Sequence, residues 1–408
     1  MASVPGIHGV LGIIAHMALS ISNIRFDEFR GYSRLQLDGL QHLVVLVGQN
    51  AVGKTNIIEA IQLLTAGESF RKPNWTEVVS WDADAAVIRA ELVDVDANRS
   101  ITHKMQVAQG KRTYEVNGKK KPSTAVHGTC PSVLFIPDHL QMVKASSAAR
   151  RDALDSLAVQ LWKNYAALKS DYAMALKQRN LLIKSEVHDG PLFESWDESL
   201  AVNGARLCVN RMRLFARLAA HMERIYPQLV PDEALTCVYV PSWMRFADDG
   251  RQLGDVPSAA DVEDAASACD MSVDEVQAVL MEWSGKLAAQ ELSRKTSLIG
   301  PHKDEIVFFL KGRNARLFAS QGQQRTIVLA WKLAEVELVR EISGADPVLL
   351  LDDVMSELDA NRRDALTEFI DRSTQTFVTT TNLGYFSDEL LQRAQVIHLP
   401  IEGTKREY

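Results

Sequence analysis

The sequence predicts an α/β fold, a mixed sheet with flanking helices, which is interrupted by an inserted α-helical lobe. Three observations predict it. A glycine-rich loop follows an apolar run near the start of the chain, and a second apolar run ends in two carboxylates far downstream. Between them the hydrophobic pattern changes to a helical period. The phosphate-binding fold is therefore expected to form from both ends of the chain.

The first element is a phosphate-binding loop at 48–55, with the pattern G-x-x-x-x-G-K-T. The apolar run 43–47 before it is typical of a buried strand, and 56–64 after it is typical of a helix. In such loops the backbone N–H groups and the lysine bind phosphate, and the hydroxyl binds Mg²⁺. The predicted nucleotide-binding residues are Gly48, Gln49, Asn50, Ala51, Val52, Gly53, Lys54, Thr55 and Asn56.

The second element is the run 348–353, in which four apolar residues precede two aspartates. A central parallel strand gives such a run, and ligands bind at the carboxyl ends of parallel strands. We expect Thr55 and Asp352 to hold Mg²⁺ and Asp353 to polarise the attacking water. The predicted catalytic residues are Lys54, Asp352 and Asp353.

The third element is a polar segment that opens a helix predicted over 326–338. A serine and a glycine at a helix N-terminus favour anion binding, although an ordinary capped helix can begin in the same way. One ATP does not need two phosphate sites in one fold, whereas two copies facing head to tail would use both. The residues expected to act on the partner's nucleotide are Ser320, Gln321, Gly322, Gln323, Gln324 and Arg325.

Together these motifs resemble the ABC-type P-loop ATPase heads of the SMC kind and, more narrowly, the RecF family of bacterial recombination mediators. The similarity extends from about residue 19 to about residue 383. The phosphate loop alone is unspecific, but the S-Q-G-Q-Q-R segment followed by D-D and S-E-L-D is highly specific. Further matching segments lie at 29–32, 133–140, 300–305 and 375–381.

The resemblance implies ATP and Mg²⁺ as cofactors and an ATP-dependent head-to-tail dimer on double-stranded or gapped DNA. It implies functions in DNA repair, recombination, replication and the SOS response, with RecO, RecR and RecA as partners. By the same resemblance, Ser356 and Asp359 lie in a dimer-interface loop, and Thr380 or Thr381 replaces a switch histidine. Arg30 and Tyr32 are expected near the adenine.

ATP hydrolysis is expected to be weak and DNA-stimulated. Asp353 stands where many ABC ATPases have a glutamate, and its side chain is one methylene shorter. We therefore expect slow turnover, which suits a timed clamp on DNA rather than a motor.

The predicted organisation has four parts: an extension at 1–16, a head at 17–147, a mainly helical lobe at 148–295, and the returning head at 296–408. The apolar segment 10–15 lacks the basic start of a secretory signal, so we expect 1–16 to lie outside the core, with Met17 a candidate initiator. The helical lobe has an apolar seam, which favours packing within the chain: Leu154, Leu157, Leu161, Tyr165, Leu168, Tyr172 and Leu176.

The net charge of −7 does not indicate a nucleic-acid-binding protein, but the charge distribution does. Residues 99–151 hold ten basic and two acidic side chains, a local net of +8 that could neutralise DNA phosphates. A solvated hairpin tip at 116–121 would have the same composition. The candidate DNA-binding residues are Lys111, Arg112, Lys119, Lys120, Lys121, Arg150 and Arg151.

The four cysteines show no metal-ligand spacing, which favours reduced thiols and a cytoplasmic protein. No apolar run approaches the length that crosses a membrane. Three other interpretations stay open: a RecF-like paralogue in another pathway, a scaffold that binds ATP without hydrolysing it, and the ATPase subunit of a transporter.

Overall fold

The computed structural model describes residues 19–94, 98–122, 129–187, 189–247, 249–253, 265, 267–370 and 374–401. The predicted extension at 1–16 lies outside these residues. The chain divides into two compact units. We call 19–140 together with 335–401 the phosphate-loop unit, and 141–334 the helical unit.

The phosphate-loop unit contains an antiparallel sheet of order β2-β1-β4-β5-β6-β7 and a parallel sheet of order β14-β3-β13-β12-β8. The strands of the first sheet are β1 (Ser20–Phe29), β2 (Tyr32–Leu37), β4 (Ala85–Asp94), β5 (Arg99–Ala108), β6 (Lys111–Val116) and β7 (Lys119–Lys121). Those of the second are β3 (Leu43–Val47), β8 (Ser132–Phe135), β12 (Val348–Asp352), β13 (Thr376–Thr380) and β14 (Gln395–His398). This mixed architecture confirms the predicted head.

The parallel sheet places the ends of three strands side by side. Thr380 pairs with Val47, and Asp352 pairs with Thr379. β14 completes this side of the sheet, because it pairs in parallel with β3 and the Leu399 amide donates to the Val47 carbonyl at 2.7 Å. Parallel strands present their carboxyl ends at one edge, where ligands bind in open α/β sheets.

Helix α1 (Lys54–Thr65) follows the phosphate loop directly. Its apolar residues Ile57, Ile58 and Ile61 are fully buried in one core with residues of both sheets. Burying each such side chain contributes about 1.5–3 kcal/mol, so the helix that carries Lys54 is firmly fixed. Two further helices of this unit are α8 (Ala360–Ile370) and α9 (Asp388–Arg393).

The helical unit contains helices and a three-stranded sheet of order β11-β10-β9. The helices are α2 (Ser147–Leu161), α3 (Tyr165–Lys184), α4 (Pro191–Leu229), α5 (Val273–Arg294) and α6 (Ala315–Phe318), and α7 (Gln321–Ser343) crosses the boundary between the units. The strands are β9 (Leu235–Val240), β10 (Glu305–Leu310) and β11 (Arg313–Asn314). The predicted apolar seam is buried except for the half-buried Leu176, and it lies on two helices, because Asn164 adopts a φ of 68° between them.

The lobe boundaries differ from the predicted ones. We expected the lobe to span 148–295, whereas the structure groups 141–334 together. The reason is pairing: β10 runs antiparallel to β9, from Glu305 opposite Val240 to Leu310 opposite Leu235. A strand bonded along its length to the lobe cannot belong to the returning head, and the hydrophobic pattern alone does not reveal its partner.

Candidate nucleotide-binding site

The phosphate loop needs glycine at both ends. Gly53 has a φ of 91°, and a Cβ added there would lie 2.5 Å from the Tyr32 hydroxyl oxygen. A Cβ on Gly48 would lie 2.6 Å from the Leu399 carbonyl oxygen. Tyr32 also donates a hydrogen bond to the Val52 carbonyl at 3.2 Å. The structure thus places Tyr32 against the loop backbone, where it supports the loop's shape.

The Lys54 ammonium group lies inside the phosphate-binding loop. Its Nζ donates to the carbonyl oxygens of Gly48 at 2.6 Å and Gln49 at 2.9 Å. Burial lowers the pKa of Lys54, and the carboxylates of Asp353 and Asp352 oppose that shift. A buried ammonium group bonded to carbonyls of its own loop is well placed to exchange them for phosphate oxygens.

The two predicted magnesium ligands meet, although 297 positions separate them along the chain. Asp352 Oδ1 accepts from Thr55 Oγ1 at 3.1 Å and from Thr379 Oγ1 at 2.8 Å. Burial raises the pKa of Asp352, and the hydrogen bonds from Thr379 and Thr55 oppose the rise. A hydroxyl and a carboxylate in contact are the oxygen ligands that Mg²⁺ takes beside nucleotide phosphates.

Asp353 combines an unusual backbone with an unpaired oxygen. Its φ is 52°, and its amide donates to Thr379 Oγ1 at 2.9 Å. Within the described residues, its Oδ1 is buried and has no hydrogen-bond partner. Burial raises its pKa, Lys54 lowers it, and Asp352 raises it. Because an unsatisfied buried polar atom costs about 1–3 kcal/mol, this oxygen indicates a place for a water molecule or ligand.

Thr379 was not among the predicted site residues. The predicted switch residues behave differently from it: the Thr380 hydroxyl bonds to the Asn382 backbone at 3.0 and 3.1 Å, and Thr381 is exposed. The Gly48 amide also donates to the Thr380 carbonyl, at 3.2 Å. The run of three threonines at the end of an apolar strand was the available signal, but it does not say which hydroxyl reaches the carboxylates.

A buried carboxylate anchors the back of α1. Glu59 accepts from Arg30 Nη2 at 2.6 Å, from Arg71 Nη1 at 2.8 Å and from Ser69 Oγ at 2.6 Å. Arg71 also donates to Asn56 Oδ1 at 2.8 Å. The structure therefore ties the predicted site residues Arg30 and Asn56 into this network. Glu59 and Arg71 were missed because a lone acid and a lone base in sequence show no pairing.

The signature segment 320–325 lies in the helical unit, and α7 begins at Gln321, earlier than predicted. Ser320 Oγ accepts from the Gln323 amide at 3.2 Å, and Gln323 Oε1 accepts from the Ser320 amide at 2.9 Å. This reciprocal pair is a capping box. Gln323 Nε2 donates to Glu233 at 2.8 Å, and Gln324 Nε2 donates to the Ala319 carbonyl at 2.7 Å. These hydrogen bonds hold the helix N-terminus, and Ser320 is exposed.

The predicted interface loop is also held by hydrogen bonds within the chain. Ser356 Oγ donates to the Asp353 carbonyl at 2.8 Å, which ties the loop to the predicted catalytic aspartate. Asp359 Oδ1 accepts from the Arg362 amide at 3.0 Å at the start of α8, and its carboxylate also pairs with the Arg362 guanidinium. Ser356 and Asp359 are both exposed.

Some of the basic side chains in residues 99–151 are exposed, and others are buried. Lys119, Lys120 and Lys121 are exposed on β7, and the predicted hairpin turn is confirmed by the positive φ values of Asn117 (50°) and Gly118 (72°). A groove of about 470 Å³ is lined by Trp75, Lys111, Arg112, Lys120 and Lys121, among others. In it, the Arg112 guanidinium lies 4.0 Å from the Trp75 ring centroid.

Arg150 is the contrary case, because its burial argues against the predicted contact with DNA. Its side chain is only 2% exposed. It pairs with Glu305 at 2.8 Å and donates to the carbonyls of Met142, Val143 and Ala145. Its neighbour Arg151 is half-buried and donates to the Asp304 carbonyl.

The described helices include none that is both long enough and apolar enough to cross a membrane. In the same part of the chain, no three histidine, cysteine, aspartate or glutamate side chains gather as a metal-binding cluster.

Comparison with known proteins gives a consistent set of similarities. Residues 20–398 match the family described as RecF/RecN/SMC N terminal domain. A DNA replication and repair protein RecF from Lactobacillus delbrueckii subsp. bulgaricus is 33% identical over 93% of this chain and 95% of its own length. The corresponding protein from Symbiobacterium thermophilum is 36% identical over 89% of this chain and 92% of its own.

Solved structures agree. The recombination mediator protein RecF with ATP, described as part of the RecFOR pathway, matches with a TM-score of 0.77 and 28% identity, covering 94% of this chain and 95% of that one. The Smc head domain from Pyrococcus furiosus matches with a TM-score of 0.51 and 16% identity, over 93% of each chain, which supports the fold alone.

Proposed function

Because this chain belongs to the RecF family of DNA replication and repair proteins, we propose that ATP binding joins two of its copies head to tail on double-stranded or gapped DNA. Slow, DNA-stimulated hydrolysis would then release the DNA. The observation that carries the ATP-dependent part of the proposal is that Lys54, the Thr55–Asp352 pair and Asp353 meet at the carboxyl ends of neighbouring strands.

In this proposal each residue has a defined task. Lys54 binds the β- and γ-phosphates, and Thr55 and Asp352 hold Mg²⁺, which neutralises charge on the phosphates. Asp353 accepts a proton from the attacking water, and the Thr379 hydroxyl fixes the Asp352 carboxylate and the backbone amide of Asp353. The raised pKa of Asp353 suits a general base better than an ordinary carboxylate does.

The second half of each site comes from the other copy. The exposed Ser320 with Gly322 binds the partner's γ-phosphate, and Ser356 and Asp359 lie along the same interface. Thr380 or Thr381 takes the switch position. The capping box orders the start of the signature helix, and the Ser320 hydroxyl, which accepts from the Gln323 amide, keeps its proton to donate to a phosphate oxygen.

The exposed lysines of the β6–β7 hairpin bind the DNA backbone. By family membership we propose RecO, RecR and RecA as functional partners at single-strand gaps, and action in the cytoplasm.

Two variants test the composite site directly. Lys54→Met removes the phosphate-binding lysine, and Ser320→Arg blocks the signature. Each alone should fail to dimerise with ATP in sedimentation experiments. An equimolar mixture should recover dimers, because the pair forms one site with an intact loop and an intact signature.

The matched control is Lys311→Met, which changes an exposed lysine of the helical unit. It should dimerise and bind gapped DNA as the wild type does. If Lys54→Met dimerises with ATP and retains gapped DNA as well as the wild type, the proposed function is wrong. If the mixture shows no recovery, the two motifs do not act in different copies.

A further inference from the structure

Two large apolar side chains are exposed immediately before the signature serine. Leu317 is 59% exposed and Phe318 is 66% exposed. They lie on α6, a single turn that is held in place because Ala315 is buried and Asn314 Oδ1 accepts from the Arg316 amide at 2.9 Å. Both side chains are therefore presented to solvent by a fixed backbone.

The phosphate-loop unit has an exposed aromatic of its own. Trp81 is 86% exposed, in the turn before β4. The turn is anchored beside the nucleotide loop: Ser80 Oγ donates to the Arg30 carbonyl at 2.8 Å, and Arg30 binds Glu59 on α1. The backbone that carries Trp81 is thus anchored to the same segment that supports the phosphate loop.

Single exposed apolar residues are common and need no explanation. These two patches differ from that background in position and in charge. Arg313 and Arg316, both exposed, flank Leu317 and Phe318. Asp82 and Asp84, both exposed, flank Trp81. Each patch therefore has an apolar centre and a charged rim, and the two rims have opposite signs, as complementary interface surfaces do.

We propose that Trp81 of one copy packs against Leu317 and Phe318 of a second copy, with the aspartate and arginine rims facing each other. The inference rests on the proposed function, because the phosphate loop of one copy meets the signature of the other only in a head-to-tail dimer. Two-fold symmetry makes the contact twice, once beside each nucleotide. Buried aromatics surrounded by polar rims are the usual energetic centres of interfaces.

The apolar centre is tested by truncation. Trp81→Ala and Phe318→Ala should each weaken the ATP-dependent dimer at least tenfold in sedimentation equilibrium, because each loses its contact at both symmetric positions. ATP binding by the monomer, measured with a fluorescent ATP analogue, should be unchanged. Leu192→Ala, which alters another exposed leucine (60%), is the matched control and should dimerise normally.

The rims are tested by exchanging charge. Arg316→Glu and Asp82→Arg should each weaken the homodimer, since like charges then face each other at both positions. A mixture of the two variants should dimerise about as well as the wild type. In the mixed dimer, the introduced glutamate faces the introduced arginine at one contact, and the native Arg316 faces the native Asp82 at the other. Rescue by mixing requires the contact to be between copies.

The outcomes separate the two proposals. If the wild type dimerises with ATP, Lys54→Met does not, and the Trp81, Phe318 and charge-exchange variants all behave as the wild type, the inference is overturned and the proposed function stands. If the single charge variants weaken the dimer but their mixture shows no rescue, the proposed pairing is also wrong. A wild type that does not dimerise with ATP overturns both proposals.

Discussion

The helical unit and the phosphate-loop unit each hold buried charges, and two of these sites contrast. In the helical unit, Arg150 is enclosed by Glu305 and three carbonyl oxygens, and Arg211 binds both oxygens of Asp155 at 2.8 and 2.9 Å. In the phosphate-loop unit, the Lys54 ammonium bonds to carbonyls of its own loop, and Asp353 Oδ1 has no partner in the described structure. A buried charge whose hydrogen-bond and ion-pair partners all lie within the protein is structural. A buried charged group that lacks such a partner marks a place where a ligand is needed.

The largest effect should come from removing one partner of the buried Arg150–Glu305 ion pair. Arg150→Ala leaves Glu305 buried without its partner, so the free energy of unfolding should fall by about 3–5 kcal/mol. Urea denaturation measures this, with Arg206→Ala on the exposed side of α4 as the control. A variant that keeps wild-type stability but loses DNA affinity would instead show that Arg150 contacts DNA.

Substituting Asp353, whose Oδ1 has no partner in the described structure, should leave the fold intact and stop ATP hydrolysis. Asp353→Asn keeps the side chain's shape but removes the base, so we expect turnover to fall by about 100-fold or more while ATP binding persists. Asp353→Glu should raise turnover, because the longer side chain reaches further toward the attacking water. Single-turnover hydrolysis and ATP binding are the measurements; equal losses in both would contradict the assignment.

The same carboxylate predicts a pH dependence. Since burial raises the pKa of Asp353, its ionised form is lost at a higher pH than for an ordinary aspartate. Turnover at saturating ATP should therefore decline as the pH falls through that raised pKa, and Asp353→Asn should abolish this acid limb. A limb that persists in the variant would assign the titration to another group.

The hairpin lysines should have a smaller effect, confined to DNA. Replacing Lys119, Lys120 and Lys121 by alanine should reduce the slope of log affinity against log salt by roughly 2–3, since each phosphate contact contributes about 0.9 on duplex DNA. The control replaces three exposed lysines of the helical unit, Lys163, Lys177 and Lys184. An equal reduction in the control would mean that both units bind DNA.

Just below pH 6.5, the smallest effect concerns His302 in the helical unit. Its Nδ1 lies 2.6 Å from the Tyr172 hydroxyl oxygen, and burial lowers its pKa to about 3. The unfolded chain takes up this proton near pH 6.5 and the folded chain does not, so stability falls as the pH drops from about 6.5 toward 3. The slope is at most about 1.4 kcal/mol per pH unit, and His302→Gln should reduce it in urea titrations at several pH values.

The contrast between the units also explains what the sequence could and could not predict. The phosphate loop, the Asp352–Asp353 pair and the Asn117–Gly118 turn were predictable, because each depends on local spacing. Thr379 was not, because its role depends on where a neighbouring strand ends. Adjacent arginines give identical contributions to a charge count, yet Arg150 is buried and Arg151 is only half-buried, since tertiary packing decides which face of α2 is covered.

The position of β14 in the sheet has a consequence for how this protein is made. The strand that leads into the phosphate loop emerges early from the ribosome, but both of its neighbours in the sheet, β13 and β14, are among the last strands of the chain. The Leu399 carbonyl oxygen also lies against Gly48, only 2.6 Å from where a Cβ on that residue would be. A nascent chain should therefore be unable to hold ATP until synthesis has passed residue 399, so nucleotide binding reports that the whole head has been completed.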